Sequence, residues 1–116
     1  MTVARQTLGK SGEDRAASEL ERRGYAILAR RYRTRYGEID IIARDGDTTV
    51  FVEVKVRETG ECGTAVEAVT PRKQRRLASM ALDYLARTTG TDVPCRFDVV
   101  AIDAGALTVF RNAFCL

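Results

Sequence analysis

The chain has no histidine at all. That excludes a Ser-His-Asp triad, imidazole general acid/base chemistry and histidine metal ligands within it. Cysteine is sparse: Cys62, Cys95 and Cys115 stand far apart with no CxxC pair. Such spacing offers neither a zinc site nor a redox motif, and the odd number reads as reduced thiols instead of a secreted disulfide framework. No apolar run approaches the roughly 20 residues that a membrane-spanning helix needs. The opening stretch MTVARQTLGKSGEDRAA lacks the apolar segment of a signal peptide, so the expected location is cytoplasmic, with no membrane partner. What remains for chemistry is carboxylate, lysine, hydroxyl, or a cation held through oxygen.

The 116 residues suffice for one domain with a modest core. Hydrophobic residues make up 45% and charged residues 30%, an ordinary globular balance. The net charge is +3, and 16 of the 19 basic residues are arginine. Arginine forks match phosphate well, so a nucleic-acid partner is compatible with this composition; a solvated basic surface is equally so.

Residues 1–10 read as a flexible polar segment and 11–116 as a single domain. Ser11 and Asp14 form a capping-box pattern ahead of Ala16, Ala17 and Leu20 at helical spacing, and Gly24 ends the run. Tyr25–Arg33 and EIDIIAR read as strands. Asp45-Gly46-Asp47 is a hairpin turn signal, followed by the valine-rich strand TTVFVEVKVR. Glu58–Val69 is a glycine-containing loop. Thr70 and Pro71 are good N-cap and N1 residues for a second helix, whose apolar stripe is Leu77, Met80, Ala81, Tyr84 and Leu85. CRFDVVAID and ALTVFR are two more strands. The order α-β-β-β-α-β-β predicts an α/β domain with a mixed sheet flanked by helices in two or three layers.

In the third strand Val50, Val52, Val54 and Val56 share one face, and Phe51, Glu53, Lys55 and Arg57 share the other. Alone, the charged face is an ordinary half-exposed surface. Across the hairpin, however, Asp40 sits on a face with Ile42, opposite Ile39 and Ile41, at a similar distance from the turn as Glu53. Two converging carboxylates need neutralisation, and a divalent cation such as Mg²⁺ provides it with one or two carboxylates plus water and phosphate oxygens. Glu13 heads the apolar stripe of the first helix, which points it inward; its alternative is an exposed first-turn acid favoured by the helix dipole.

Asp40, Glu53 and Lys55 in the pattern D-x₁₂-E-x-K resemble the PD-(D/E)xK nuclease superfamily, with its restriction-endonuclease-like fold. More narrowly, GEDRAASELERRGYAIL, RYGEIDIIARDGDTTVFVEVKVR, AVEAVTPRKQRRL, RFDVVAID and the terminal RNAF resemble the YraN-like family of small bacterial proteins, itself distantly similar to archaeal Holliday-junction resolvases. The resemblance implies that Asp40 and Glu53 hold Mg²⁺ or Mn²⁺. It implies that Lys55 orients or deprotonates the attacking water or stabilises the phosphate, and that Glu13 and Gln74 are accessory catalytic residues. For Gln74 the alternative is a hydrogen bond at the helix start. Three positions depart from the relatives: Ile39 replaces the proline before the aspartate, Val56 stands where threonine is frequent, and Arg31 where asparagine is frequent.

Arg57 shares the face of Glu53 and Lys55, and Arg72, Lys73, Arg75 and Arg76 cluster where the second helix starts; both are candidate phosphate contacts or simply solvated charges. Arg30, Arg31, Arg33 and Arg35 form another basic strip, with Tyr32 and Tyr36 interleaved as stacking platforms or edge aromatics. Asp98 and Asp103 read as structural. The expected function is metal-dependent hydrolysis of phosphodiester bonds in DNA, branched or damaged DNA in particular. Its alternatives are a non-catalytic nucleic-acid-binding module and a scaffold in a repair or replication assembly. A homodimer is implied by the resemblance to junction resolvases alone.

Overall fold

Among the described residues, two helices and five strands follow in the order α1 (Val3–Arg22), β1 (Ala26–Thr34), β2 (Gly37–Asp45), β3 (Thr48–Arg57), α2 (Pro71–Arg87), β4 (Cys95–Asp103) and β5 (Ala106–Phe114). The computed structural model describes residues 3–58 and 69–114, with side chains from Ser11 onward. Most of the expected Glu58–Val69 loop lies outside the described residues, as do Cys62 and Cys115. Cys95 is a free, exposed thiol.

The sheet runs β1-β2-β3-β4-β5. Its neighbours are antiparallel except β3 and β4, which are parallel and joined through α2. A parallel pair needs such a crossover, and the crossover returns the start of α2 to the C-terminal end of β3. The layers number three, because both sheet faces are covered. Ala16, Ala17 and Leu20 of α1 pack on Ile41, Ala43, Val50, Val52 and Val100. Leu77, Met80, Ala81 and Leu85 of α2 pack on Ile42, Phe51, Phe97, Val99 and Ala101 on the other face. The expected stripe of α2 is thus its buried face, with Tyr84 edge-on to Tyr32 and Phe51. Each fully buried Leu, Ile, Val or Phe in these clusters contributes about 1.5–3 kcal/mol.

The helix starts differ from one another. Thr70 caps α2 as its sequence predicts, accepting from the Lys73 N–H, with Pro71 in the first turn. The capping box at Ser11 is not used: the helical backbone begins at Val3, where the sequence reads as a flexible segment. Ala4, Arg5, Gln6 and Leu8 are all good helix formers and no proline interrupts them, so nothing local stops the helix from extending upstream. Its end is the expected one. Gly24 has φ +94°, its N–H bonds the Glu21 carbonyl, and the Tyr25 N–H reaches back to Leu20, which is a Schellman closure.

One expected facing is corrected. Ile39 and Ile41 do not share a side: Ile41 packs under α1, whereas Ile39 joins Ile42 and Phe51 under α2. The alternation breaks at Asp40. Across the ladder, between the pairs Arg30–Ile41 and Tyr32–Ile39, lies Arg31 with φ 53°. A left-handed residue inside a strand re-aims its neighbours, and asparagine tolerates that conformation better than arginine.

Candidate functional site

The hairpin of β2 and β3 turns through Gly46 and Asp47, with Asp45 paired to Thr48. From there the ladder is regular to Ile41–Val52. One step further, Asp40 stands opposite Glu53. At that step the backbone pairing gives way to a side chain: Asp40 Oδ2 accepts from the Val54 N–H at 2.8 Å. The aspartate thereby stays fixed to the strand that carries the glutamate.

Phe51 lies in the core beneath α2, at 2% exposure, so this face of β3 is apolar at its start and charged towards its end. There the first turn of α2 closes over it. Lys73 Nζ lies 2.7 Å from Glu53 Oε2, and these side chains are 23% and 11% exposed. The charge of Lys55 is felt by Glu53 on the same strand face, and Lys55 and Lys73 perturb each other. Asp40, Glu53, Lys55 and Lys73 thus form one half-buried cluster of two acids and two bases. Lys73 was expected as either a phosphate contact or a solvated charge; the crossover that places α2 above β3 brings it onto Glu53, so it is not simply solvated.

The four groups perturb one another. Burial, then the hydrogen bond and charge of Glu53, push the Asp40 carboxyl up to about 8, against the stabilising Val54 N–H. Burial acts in the same sense on Glu53, but hydrogen bonds from Asp40 and Lys73 outweigh it and hold that carboxyl below its usual value. The opposite shifts favour a proton on Asp40 over Glu53, because the lysines stand beside Glu53. Burial and the neighbouring Lys73 lower the Lys55 pKa. Burial opposes the charge of Lys73 too, yet the contact with Glu53 raises its pKa.

Glu13 does point inward, at 9% exposure. Gly12 lets α1 approach β3 there: a Cβ on it would run into Val56 Cγ2, which also confirms that Val56 faces the packing layer. The Glu13 charge is felt by Asp40. Its own carboxylate is engaged by Arg31 at 3.2 Å and Arg30 at 3.6 Å. Gln74 makes the helix-start hydrogen bond, with Nε2 donating to the Val69 carbonyl at 2.9 Å. Arg57 ends β3 half-buried, its carbonyl accepting from the Ala104 N–H. Among the described residues no group of three or more His, Cys, Asp or Glu side chains is placed to hold a metal ion. The donor set that exists is two adjacent carboxylates. It is all oxygen and suits a hard divalent cation that takes its remaining ligands from water and phosphate.

The two basic strips, separate in sequence, adjoin in space. A Cβ on Gly37 would lie 3.5 Å from Met80 Sδ and 4.0 Å from Arg76 Cδ, so the β1–β2 turn rests on α2 beside Arg76. Arg35 stacks on Tyr36, 4.9 Å from the ring centroid. Arg33 pairs with Glu38 at 3.2 Å. Arg72, Arg75 and Arg76 are exposed on α2 and have no ion pair among the described residues. A cleft of about 660 Å³ opens next to the turn, lined by Tyr32, Arg33, Thr34, Arg35, Asp83 and Arg87.

A second charged centre lies on the α1 face of the sheet. Asp98, fully buried, accepts from Tyr25 Oη at 3.2 Å, Arg96 Nε at 3.0 Å and the Asn112 N–H at 2.9 Å. Arg96 continues to Asp45, which also meets Arg111. The structural reading of Asp98 holds.

Residues 12–102 match the family model described as uncharacterised protein family UPF0102, and the chain belongs to that family. It is 54% identical to the UPF0102 protein of Symbiobacterium thermophilum, over 92% of this chain and 95% of that one. The UPF0102 protein of Geobacter sulfurreducens is 51% identical over 92% and 88%, and that of Pelotomaculum thermopropionicum 46% identical over 98% and 100%. No helix among the described residues is long and apolar enough to cross a membrane.

Proposed function

We propose that this protein is a metal-dependent nuclease that hydrolyses phosphodiester bonds in DNA. The observation that carries the reading is the meeting of Asp40 and Glu53, two carboxyls held side by side on the hairpin in a half-buried cluster with Lys55 and Lys73. A fold gains nothing from pressing two acids together, and a divalent cation relieves the repulsion. Mg²⁺ or Mn²⁺ bound there by Asp40 and Glu53 would polarise the phosphate and neutralise developing charge. Lys55 then faces the phosphate and orients the attacking water. The water oxygen bonds to phosphorus and gives up a proton to solvent, the ester P–O bond breaks, and the departing oxygen takes a proton from solvent. The strip formed by Arg72, Arg75, Arg76, Arg33 and Arg35 supplies contacts to the phosphate backbone.

One observation favours a second reading, a nucleic-acid-binding module that does not cut. Glu13 and Gln74, the two accessory residues implied by resemblance, are engaged by Arg31 and by Val69. The test is incubation of the purified protein with duplex, single-stranded, flap and four-way-junction DNA in Mg²⁺, Mn²⁺ or EDTA. Cleavage that is lost in EDTA and in Glu53→Ala supports the nuclease. Binding without cleavage on every substrate supports the module.

A further inference from the structure

Lysine is rare in this chain. There are three, Lys10, Lys55 and Lys73, against 16 arginines, and two of the three meet at the carboxylate cluster. The exposed surface uses arginine, so the cluster has a specific need for the compact ammonium on a flexible stem. An ammonium is a point charge that changes partner by rotating its stem, whereas a guanidinium fork fits one planar partner.

The position of Lys73 suggests the need. Its Nζ sits 2.7 Å from Glu53 Oε2, an oxygen that a cation bound by Asp40 and Glu53 would use. Its backbone is fixed apart from that contact: the N–H is held by Thr70 Oγ1 at 3.3 Å, in the capped first turn of α2. The side chain can therefore leave Glu53 without disturbing the helix. The first turn of a helix is also a favourable place for an anion, and Arg72, Arg75 and Arg76 lie beside it.

We infer that Lys73 is a resident counter-ion of Glu53, displaced when a divalent cation and a nucleic-acid phosphate arrive together, and transferred to that phosphate. This rests on the nuclease reading, since it presumes a cation at Asp40 and Glu53. Charge counting shows the consequence. A divalent ion held by both carboxylates requires both to be ionised, so two carboxylates then face two ammonium groups and the ion, and the cluster stands two charges in excess. A phosphodiester backbone removes that excess and accepts the released ammonium. Cation and nucleic acid therefore bind cooperatively, and by linkage each raises the affinity for the other by the same factor. Lys73 is a positioning residue that suppresses cation binding until substrate is present.

The experiment is Mn²⁺ titration followed by calorimetry and by the Mn²⁺ paramagnetic resonance signal. It compares wild type, Lys73→Met, Lys73→Arg and Glu53→Gln, each with and without a non-cleavable phosphorothioate DNA duplex. Without DNA, Lys73→Met is expected to bind Mn²⁺ about tenfold more tightly than wild type, within the usual range of such couplings. Lys73→Arg, which keeps the competing charge, stays near wild type, and Glu53→Gln loses the site. DNA tightens Mn²⁺ binding by wild type much more than by Lys73→Met. Equal or weaker binding by Lys73→Met, with wild type binding normally, overturns the role of Lys73 and leaves the nuclease reading standing. Absence of Mn²⁺ binding in wild type and Lys73→Met alike, with and without DNA, overturns both. Unchanged circular dichroism spectra and melting temperatures of the variants exclude misfolding as the cause.

Discussion

Two buried acid centres lie on opposite faces of the same sheet, and they are built on opposite principles. Around Asp98 every acid meets a guanidinium, a phenol or a backbone N–H, and Arg96 joins the carboxylates of Asp98 and Asp45. Burial works against the charge of Arg96, but those hydrogen bonds hold its pKa above the usual value. Across the sheet, Asp40 and Glu53 face each other, and burial together with Glu53 pushes the Asp40 carboxyl up to about 8. The first centre is complete as it stands. In the second, acid meets acid, and its only cationic partners among the described residues are the lysines Lys55 and Lys73. A buried carboxylate surrounded by donors fastens a fold; a buried carboxylate facing another is held ready for something else.

The comparison can be broken first at its structural end. Asp98→Ala leaves Arg96 without its buried partner and is expected to cost about 3–5 kcal/mol in urea unfolding. A loss below 1 kcal/mol would mean that the centre does not fasten the sheet. Asp40→Asn should have the opposite sign. The folded protein keeps the Asp40 proton up to about pH 8, whereas an ordinary carboxyl loses it near 3.8. The native state therefore binds more protons throughout that window, and metal-free stability falls as pH rises from about 4 to 8. The lowered pKa of Glu53 acts below the ordinary 4.5, outside most of this window. Asparagine offers an acceptor for the Val54 N–H and a donor for Glu53 at any pH. The variant should be about 1–3 kcal/mol more stable than wild type at pH 8.5 and no more stable at pH 4; chemical denaturation at both pH values decides.

Smaller changes sharpen the contrast. Tyr25→Phe removes one of the donors to Asp98 and should cost about 1 kcal/mol, with no effect on DNA binding. Arg75→Ala and Arg76→Ala, on the exposed strip beside the second centre, should leave stability within about 0.5 kcal/mol. Each should flatten the salt dependence of DNA affinity by about one phosphate contact, read from binding isotherms at several salt concentrations.

What the sequence made legible was local or periodic. The alternating valines of β3, the Asp45-Gly46-Asp47 turn, the Thr70-Pro71 helix start and the Gly24 closure each carry their signal within a few residues. The meeting of Asp40 and Glu53 was legible for the same reason, because a two-residue hairpin loop fixes register by counting. Two features depended on distant chain. Lys73 reaches Glu53 only because the β3–α2–β4 crossover folds α2 back over β3, and Glu13 meets Arg31 only because α1 lies beside β1. The break in alternation at Asp40 was hidden, as was the positive φ of Arg31 across the ladder, since arginine has no preference for that conformation. Ser11 misled because a capping-box pattern is four residues long and fits inside a helix as easily as at its start.

The most direct test of the contrast is the effect of Mn²⁺ on the melting temperature of wild type and Glu53→Gln, at saturating ion and constant ionic strength. A ligand at a hundred times its dissociation constant stabilises the native state by about 2.7 kcal/mol. Wild type should therefore melt several degrees higher with Mn²⁺ than with an equal charge of Na⁺, and Glu53→Gln should not. Equal shifts in the two proteins, or none in either, would contradict the assignment of Asp40 and Glu53 as a cation site.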